Sequence, residues 1–316
     1  QAQNARLLAQ DPSVFDLSSL PETLAGSEVR RRIEALSAPP ARALYDVQGQ
    51  EIQATRIHEL RDALALDQIH SEVAPRFGLV TRRADLRSFP TGQRVFSRPG
   101  DTDIDRFQES ALFPGTPVAV LHESRDGRWW FVVSRRYSAW IEADHVALGG
   151  RGEVLGFAAQ PPYLVVTGAD VRTVFTPEAP QVSDLSLDMG LRLPLIADWP
   201  QEKPVNGQFA YASHVVALPA RDAAGLAEPL HAPVPFTDFA PTNDASAALP
   251  AGVLDKLVQP QNKAALTQIL TYHVVNGEVM AAQVTNGPVP TLEGQSITLS
   301  TANGGVTINN VAKVTT

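Results

Sequence analysis

The chain has 316 residues, 44% of them hydrophobic, and 26 Lys+Arg against 34 Asp+Glu give a net charge of −8. That length fits two or more domains, each able to bury a core, while an acidic balance with scattered basic residues excludes nucleic acid as an expected partner and no apolar run approaches the ~18 residues of a membrane span. The absence of cysteine removes thiol nucleophiles, disulfides and cysteine metal sites together.

Residues 1–78 are predicted to be helical and irregular. A short helix over 5–10 ends at Asp11-Pro12. A second opens at Ser27, carries Val29, Ile33 and Leu36 at helical spacing, and stops at Pro39-Pro40. The clearest helix covers 55–66, with Ile57, Leu60 and Leu64 on one face. Arg30-Arg31-Arg32 reads as a solvated face. This segment is expected to pack on its neighbour as a helical appendage.

From residue 79 the apolar period changes to two. The densest stretch is 128–141, which holds three of the four tryptophans and one of the five tyrosines. Asp126-Gly127 is a hairpin turn signal, 129–133 is a β-rich run, and Trp140-Ile141 begins a second strand. Adjacent strand residues point to opposite faces, so one of Trp129 and Trp130 is expected in the core and the other on a rim beside Tyr137. An internal repeat is also present. Arg83-Ala84-Asp85-Leu86-Arg87-Ser88 is echoed by Gly168-Ala169-Asp170-Val171-Arg172-Thr173, and Ala143-Asp144-His145-Val146 by Ala212-Ser213-His214-Val215. Two related small barrels are predicted, joined by a hinge at Gly149-Gly150-Arg151-Gly152.

Composition then shifts. Lysine is absent from 1–202, arginine is absent after Arg221, and seven of nine asparagines follow it. Four prolines within 219–235 mark the expected junction. The predicted organisation is multidomain α+β: 1–78 helical, 79–150 and 151–219 two small β-barrels, and 220–316 a further α+β domain.

Two resemblances support that division. Arg82 to Pro90, Asp105-Arg106-Phe107-Gln108-Glu109-Ser110, Pro114-Gly115-Thr116-Pro117-Val118 and Tyr137-Ser138-Ala139-Trp140-Ile141 resemble the SH3b1 domain of a group of NlpC/P60 cell-wall peptidases. Residues 1–78 and 157–219 are similar to the helical domain before it and the second SH3 domain after it. The family's catalytic domain would supply a Cys-His pair, since a thiolate is the nucleophile. No cysteine is present, so only the targeting region is implied. Downstream, Phe236-Thr237-Asp238-Phe239-Ala240-Pro241-Thr242-Asn243 and Tyr272-His273 resemble the first conserved motif and the Tyr-His motif of a fasciclin (FAS1) domain, so that 220–316 is similar to an incomplete FAS1 domain. Natural fusion, engineered chimera and sequence-assignment error all fit such a joining.

The resemblances imply an extracytoplasmic (periplasmic or secreted), non-catalytic protein. Peptidoglycan peptide or a cell-surface protein is the expected partner, and homo-oligomerisation stays open. A peptidase whose catalytic half is absent from the sequence and a pure scaffold are the alternatives. The candidate ligand-binding residues are Trp129, Trp130, Tyr137 and Trp140. Phe239, Pro241, Thr242, Asn243, Tyr272 and His273 carry the fasciclin motifs, with a structural role expected for Tyr272-His273. No catalytic residue and no cofactor are expected. The seven histidines lack metal-ligand spacing. Asp101-Thr102-Asp103-Ile104-Asp105 mimics the start of a calcium loop but lacks its later glycine and glutamate, so a solvated loop is expected there.

Overall fold

The computed structural model describes residues 15–314 apart from 160, 169–170, 201, 211–212, 239–249, 251, 258, 277–283 and 303–304. The expected helix over 5–10 lies outside them, as do Phe239, Pro241, Thr242 and Asn243. The chain is α+β. Strands β1 (Leu24–Ala25) and β2 (Glu72–Val73) pair and enclose helices α1 (Gly26–Leu36) and α2 (Ala54–Ala63). On α1, Val29 and Ile33 are one turn apart and fully buried, and Leu60 does the same work on α2. The arginine run of α1 is less solvated than expected. Arg30 donates to the Leu66 carbonyl, Arg32 pairs with Glu28 and lies over Phe15, and Arg31 remains at the surface. Helix α1 begins at a glycine because the chain there runs against the 69–71 backbone: a Cβ at Gly26 would sit 1.9 Å from the His70 carbonyl oxygen. Gly26→Ala is therefore expected to lower stability by about 3 kcal/mol, the upper end of the ~1–3 range for overpacking. Gly152→Ala, which faces open space, is the control in urea unfolding.

The first barrel has seven strands: β3 (Arg76–Val80), β4 (Ala84–Arg87), β5 (Gln108–Leu112), β6 (Pro117–Glu123), β7 (Trp129–Val133), β8 (Ser138–Glu142) and β9 (Val146–Gly149). They are antiparallel in the order 5-4-8-7-6-3-9, with a 3₁₀ turn at Ala143–His145. Strand β7 is buried along its whole length. Trp129, Phe131 and Val133 face the helical segment, in one core with Leu17, Leu20, Val29, Ile33 and Leu60. Trp130 and Val132 face a second core with Leu86, Val118 and Ile141.

The expected hinge is a short helix instead. Arg151–Gly156 forms α3, Val154 is buried in the first core, and Arg151 donates to the Ser18 and Leu20 carbonyls at 2.7 Å. The glycines leave a helix start there, and the guanidinium ties it down.

The second barrel uses β10 (Tyr163–Val165), β11 (Val171–Arg172), β12 (Ser186–Leu187), β13 (Arg192–Pro194), β14 (Ser213–Arg221) and β15 (Ala227–Asp238). The pairs β10–β13, β11–β12 and β14–β15 are antiparallel. The Leu195–Val216 bridge joins β13 to β14, and Val174 N–H donates to the Pro233 carbonyl. The resulting order, 12-11-15-14-13-10, repeats 5-4-8-7-6-3 of the first barrel. Strand β11 thus matches β4 and β13 matches β6, as the repeat implies. The second echo is corrected: 213–221 stands where β7 does, not β9, because a short His-aliphatic run fits any buried strand.

The prolines expected to mark a junction lie inside the β14–β15 ladder. Pro219 faces Pro229, Pro233 faces Val215 and Pro235 faces Ser213. All belong to the same alternate set of pairs. In that set backbone groups point away from the β14–β15 partner, as the outward bond at the Pro233 carbonyl and that from Ile196 to the Val215 carbonyl show. A residue without N–H costs nothing in such a slot. Ala232 and Val234 complete the second barrel's core with Val216 and Leu218. The same strand then continues to pair its last residues, 236–238, with β16 (Val274–Asn276).

Helices α4 (Val253–Leu257) and α5 (Lys263–Tyr272) precede β16. Strands β17 (Gly287–Pro290), β18 (Ser296–Ala302), β19 (Gly305–Ile308) and β20 (Ala312–Lys313) form a sheet in that order. Among the described residues its core contains the buried Val275, Ile297 and Leu299, with Tyr272, Val289 and Val306 packed around them. Tyr272 ends α5, His273 caps it, and the strand begins at Val274.

Candidate functional site

Hairpin 128–141 forms as the sequence implies. Gly127 takes a positive φ of 69° in the β6–β7 turn, and the Asp126 carboxylate accepts from Ser124 Oγ and Arg128 N–H. Phe131 faces Trp140 and Trp130 faces Ile141 across β7–β8. The four candidate aromatics have different fates. Trp129 and Trp130 are each 6% exposed, Trp140 is 0% exposed, and Tyr137, on the β7–β8 turn beside exposed Arg135 and Arg136, is 42% exposed. No tryptophan of the hairpin reaches the rim, because the helical segment covers the face that would otherwise be open. Trp140 packs edge-on to Phe131 at 5.5 Å and donates Nε1–H to Ser37 Oγ. Arg76 lies 5.0 Å over Trp130 and pairs with Glu123, closing that end of the barrel.

His122 meets the same cluster, its ring 6.2 Å from Trp140, with Nε2 donating to the Leu64 and Ala65 carbonyls at 3.0 and 3.2 Å. Burial pushes its pKa below the ordinary histidine value, against those hydrogen bonds. Burial does the same to His145, His214 and His231. With folded pKa values below the unfolded ~6.5, the unfolded chain takes up protons first as pH falls. Stability is therefore complete above pH ~6.5 and is lost as pH drops from there toward the folded values. Urea midpoints measured at pH 7.5 and 5.5 are expected to fall, and by less in His122→Gln.

The acidic run expected to be solvated divides. Asp101 and Asp103 are exposed, but Asp105 is buried against Arg87 of β4. Its other oxygen accepts from Val95 and Phe107 N–H, and Arg87 also donates to the Thr91 and Gln93 carbonyls. This pair holds the long β4–β5 connection against the barrel.

Two cavities border the hairpin and its barrel. One of about 660 Å³ lies between Pro21, Arg76, Phe77, Leu148, Arg151 and Leu226. The turn of β14–β15 docks there through the Leu148 N–H to Gly225 carbonyl bond and the parallel Leu148–Leu226 bridge. The other, of about 400 Å³, sits at the hairpin root between Gly127, Arg128, Trp129, Glu142, Asp144 and Arg221. Glu142, Asp144 and His145 also bring one ligand-type atom each within 4.8 Å of one another. Arg82 pairs with Asp144 at 3.1 Å, and His145 Nδ1 stands 3.6 Å from Glu142. Residue spacing did not signal either cavity, since each joins segments far apart in sequence.

In the C-terminal part, Asn309 donates to Tyr272 Oη at 3.2 Å, and His273 Nδ1 lies 2.7 Å from the Ile269 carbonyl at the end of α5. Both contacts tie helix to sheet or close the helix end.

Residues 94–142 match the SH3 domain of SH3b1 type, and residues 214–316 match the fasciclin domain. Protein sll1483 of Synechocystis sp. is 39% identical over 159 residues, which is 50% of this chain and 80% of that protein. The chain belongs to the fasciclin-domain family. This fasciclin-domain chain is also similar to immunogenic protein MPB70 of Mycobacterium bovis, 43% identical over 75 residues, 24% of this chain and 37% of the relative. Cell surface glycolipoprotein MPB83 of the same species is 37% identical over 79 residues, 25% of this chain and 34% of the relative. The chain thus spans about a third of those two mycobacterial proteins. The structure of an NlpC/P60 endopeptidase from Photobacterium damselae subsp. piscicida superposes with a TM-score of 0.47 at 18% identity, over 66% of this chain and 41% of that one. The fasciclin match begins inside β14, so its first residues are built here as two strands of the second barrel. Among the described residues, no helix of the fasciclin-domain chain is long and apolar enough to cross a membrane.

Proposed function

We propose that this is a non-catalytic cell-envelope binding protein of extracytoplasmic location. In it the SH3-like barrels engage peptidoglycan or a surface partner and the fasciclin portion serves adhesion. The observation that carries this reading is the joining of an SH3b1-type match to a fasciclin match in one chain without cysteine. A relative named as a cell surface glycolipoprotein supports the location. The division into 1–78, 79–150, 151–219 and 220–316 belongs to this proposal, with β15 as the strand shared across its last boundary.

Within the hairpin, binding falls to Tyr137 and its flanking arginines, since the buried tryptophans serve as its support. Co-sedimentation of the full chain with purified peptidoglycan tests this. Retention is expected, and Tyr137→Ala is expected to lose at least half of it while stability stays within ~0.5 kcal/mol, as for an ordinary surface substitution. No retention of the parent chain would overturn the wall-binding reading.

A further inference from the structure

The cavity at the hairpin root is built from both barrels. Gly127, Arg128, Trp129, Glu142 and Asp144 come from the first and Arg221 from the end of β14 in the second. Its charges are uneven in their commitments. Asp144 is already paired with Arg82, leaving Arg128 and Arg221 against Glu142 alone. Arg221 Nε is buried and has no hydrogen-bond partner among the described residues. Leaving a buried guanidinium N–H unsatisfied is costly. The guanidinium is also positioned. Gly225, at φ +83°, lies so close that a Cβ there would stand 2.9 Å from Arg221 Nη2, so the turn leaves room for this side chain and little else. A volume of about 400 Å³ lies in the ~300–1,000 Å³ range of small-ligand sites.

We propose that this cavity binds a peptide carboxylate. The planar guanidinium of Arg221 matches a carboxylate in two parallel hydrogen bonds, and Arg128 adds a second positive charge. Glu142 disfavours a doubly charged phosphate at the same place. The inference rests on the cell-envelope reading for the source of the peptide, but not for the site itself.

Calorimetric titration of the full chain tests it with acetyl-Ala-Ala, its C-terminal amide, and acetate. The free acid is expected to bind saturably, the amide at least tenfold more weakly, and acetate weakly, because it fills little of the cavity. Arg221→Gln is expected to weaken the acid at least tenfold, and Gly225→Ala severalfold by displacing the guanidinium with its charge intact. Should Arg221→Gln fail to fold, the comparison of acid and amide on the parent chain still decides. Equal binding of acid and amide, no saturable binding of the acid, or unchanged affinity in folded Arg221→Gln would overturn the proposal. Retention on peptidoglycan without dipeptide binding would overturn it while leaving the broader function standing.

Discussion

Asp105→Ala is expected to lower the unfolding free energy by about 3–5 kcal/mol, the cost of stripping one partner from a buried ion pair. The side chains of Arg87 and Asp105 are 4 and 5% exposed, so water cannot replace the lost carboxylate. The same substitution removes the acceptor for the Val95 and Phe107 N–H groups. The β4–β5 connection would then lose the one ion pair that, among the described residues, it makes to β4. Asp105→Asn keeps an oxygen for the two N–H groups and discards the charge, so its stability should fall between the parent and Asp105→Ala. Urea unfolding followed by tryptophan fluorescence measures both. A loss under about 1 kcal/mol in Asp105→Ala would show that the pair contributes little.

Trp140→Ala is expected to cost about 3–5 kcal/mol as well, as for large-to-small changes in a packed core. The indole is fully buried and contacts Phe131 and His122 edge-on. Its N–H reaches Ser37, which in turn donates to the Ser88 carbonyl. Trp140 therefore joins helix α1, the β4 end and the hairpin in one unit. Trp140→Phe keeps a ring and leaves Ser37 its own acceptor, so about 1 kcal/mol for the lost hydrogen bond is the main expected cost. Peptidoglycan retention should be unchanged in Trp140→Phe, because this residue has no exposed surface to offer a ligand. Loss of retention with stability preserved would return Trp140 to the binding surface.

The hairpin was legible because a turn signal and a β-rich run meet at Asp126-Gly127 and 129–133. Its two-sided burial escaped the expectation of a rim tryptophan, although Trp129-Trp130-Phe131-Val132-Val133 has no polar alternate, the mark of a strand covered on both faces. What covers the second face is the helical segment, whose docking depends on contacts over a hundred residues away, such as Ser37 with Trp140. The repeat was legible where side-chain types recur at β4 and β11, and misleading at His145 and His214, where only a short apolar period recurs. The prolines of 219–235 read as breakers one at a time; their tolerance depends on falling in one class of pairs, visible only once β14 and β15 are in register. The root cavity draws on 127–129, 142–144 and 221, and no local pattern brings these together. Asp105 was obscured by Asp101 and Asp103, identical in type but differing in whether Arg87 can reach them.

Amide hydrogen exchange of the full chain with and without soluble peptidoglycan fragments tests the central claim most directly, because it locates the ligand on the fold. Slowed exchange is expected in the β6–β7 turn over 124–129, around Tyr137, and over 221–227, with the fasciclin sheet over 287–313 unchanged. No change at saturating fragment, or protection confined to 287–313, would contradict a wall-binding role for the paired barrels.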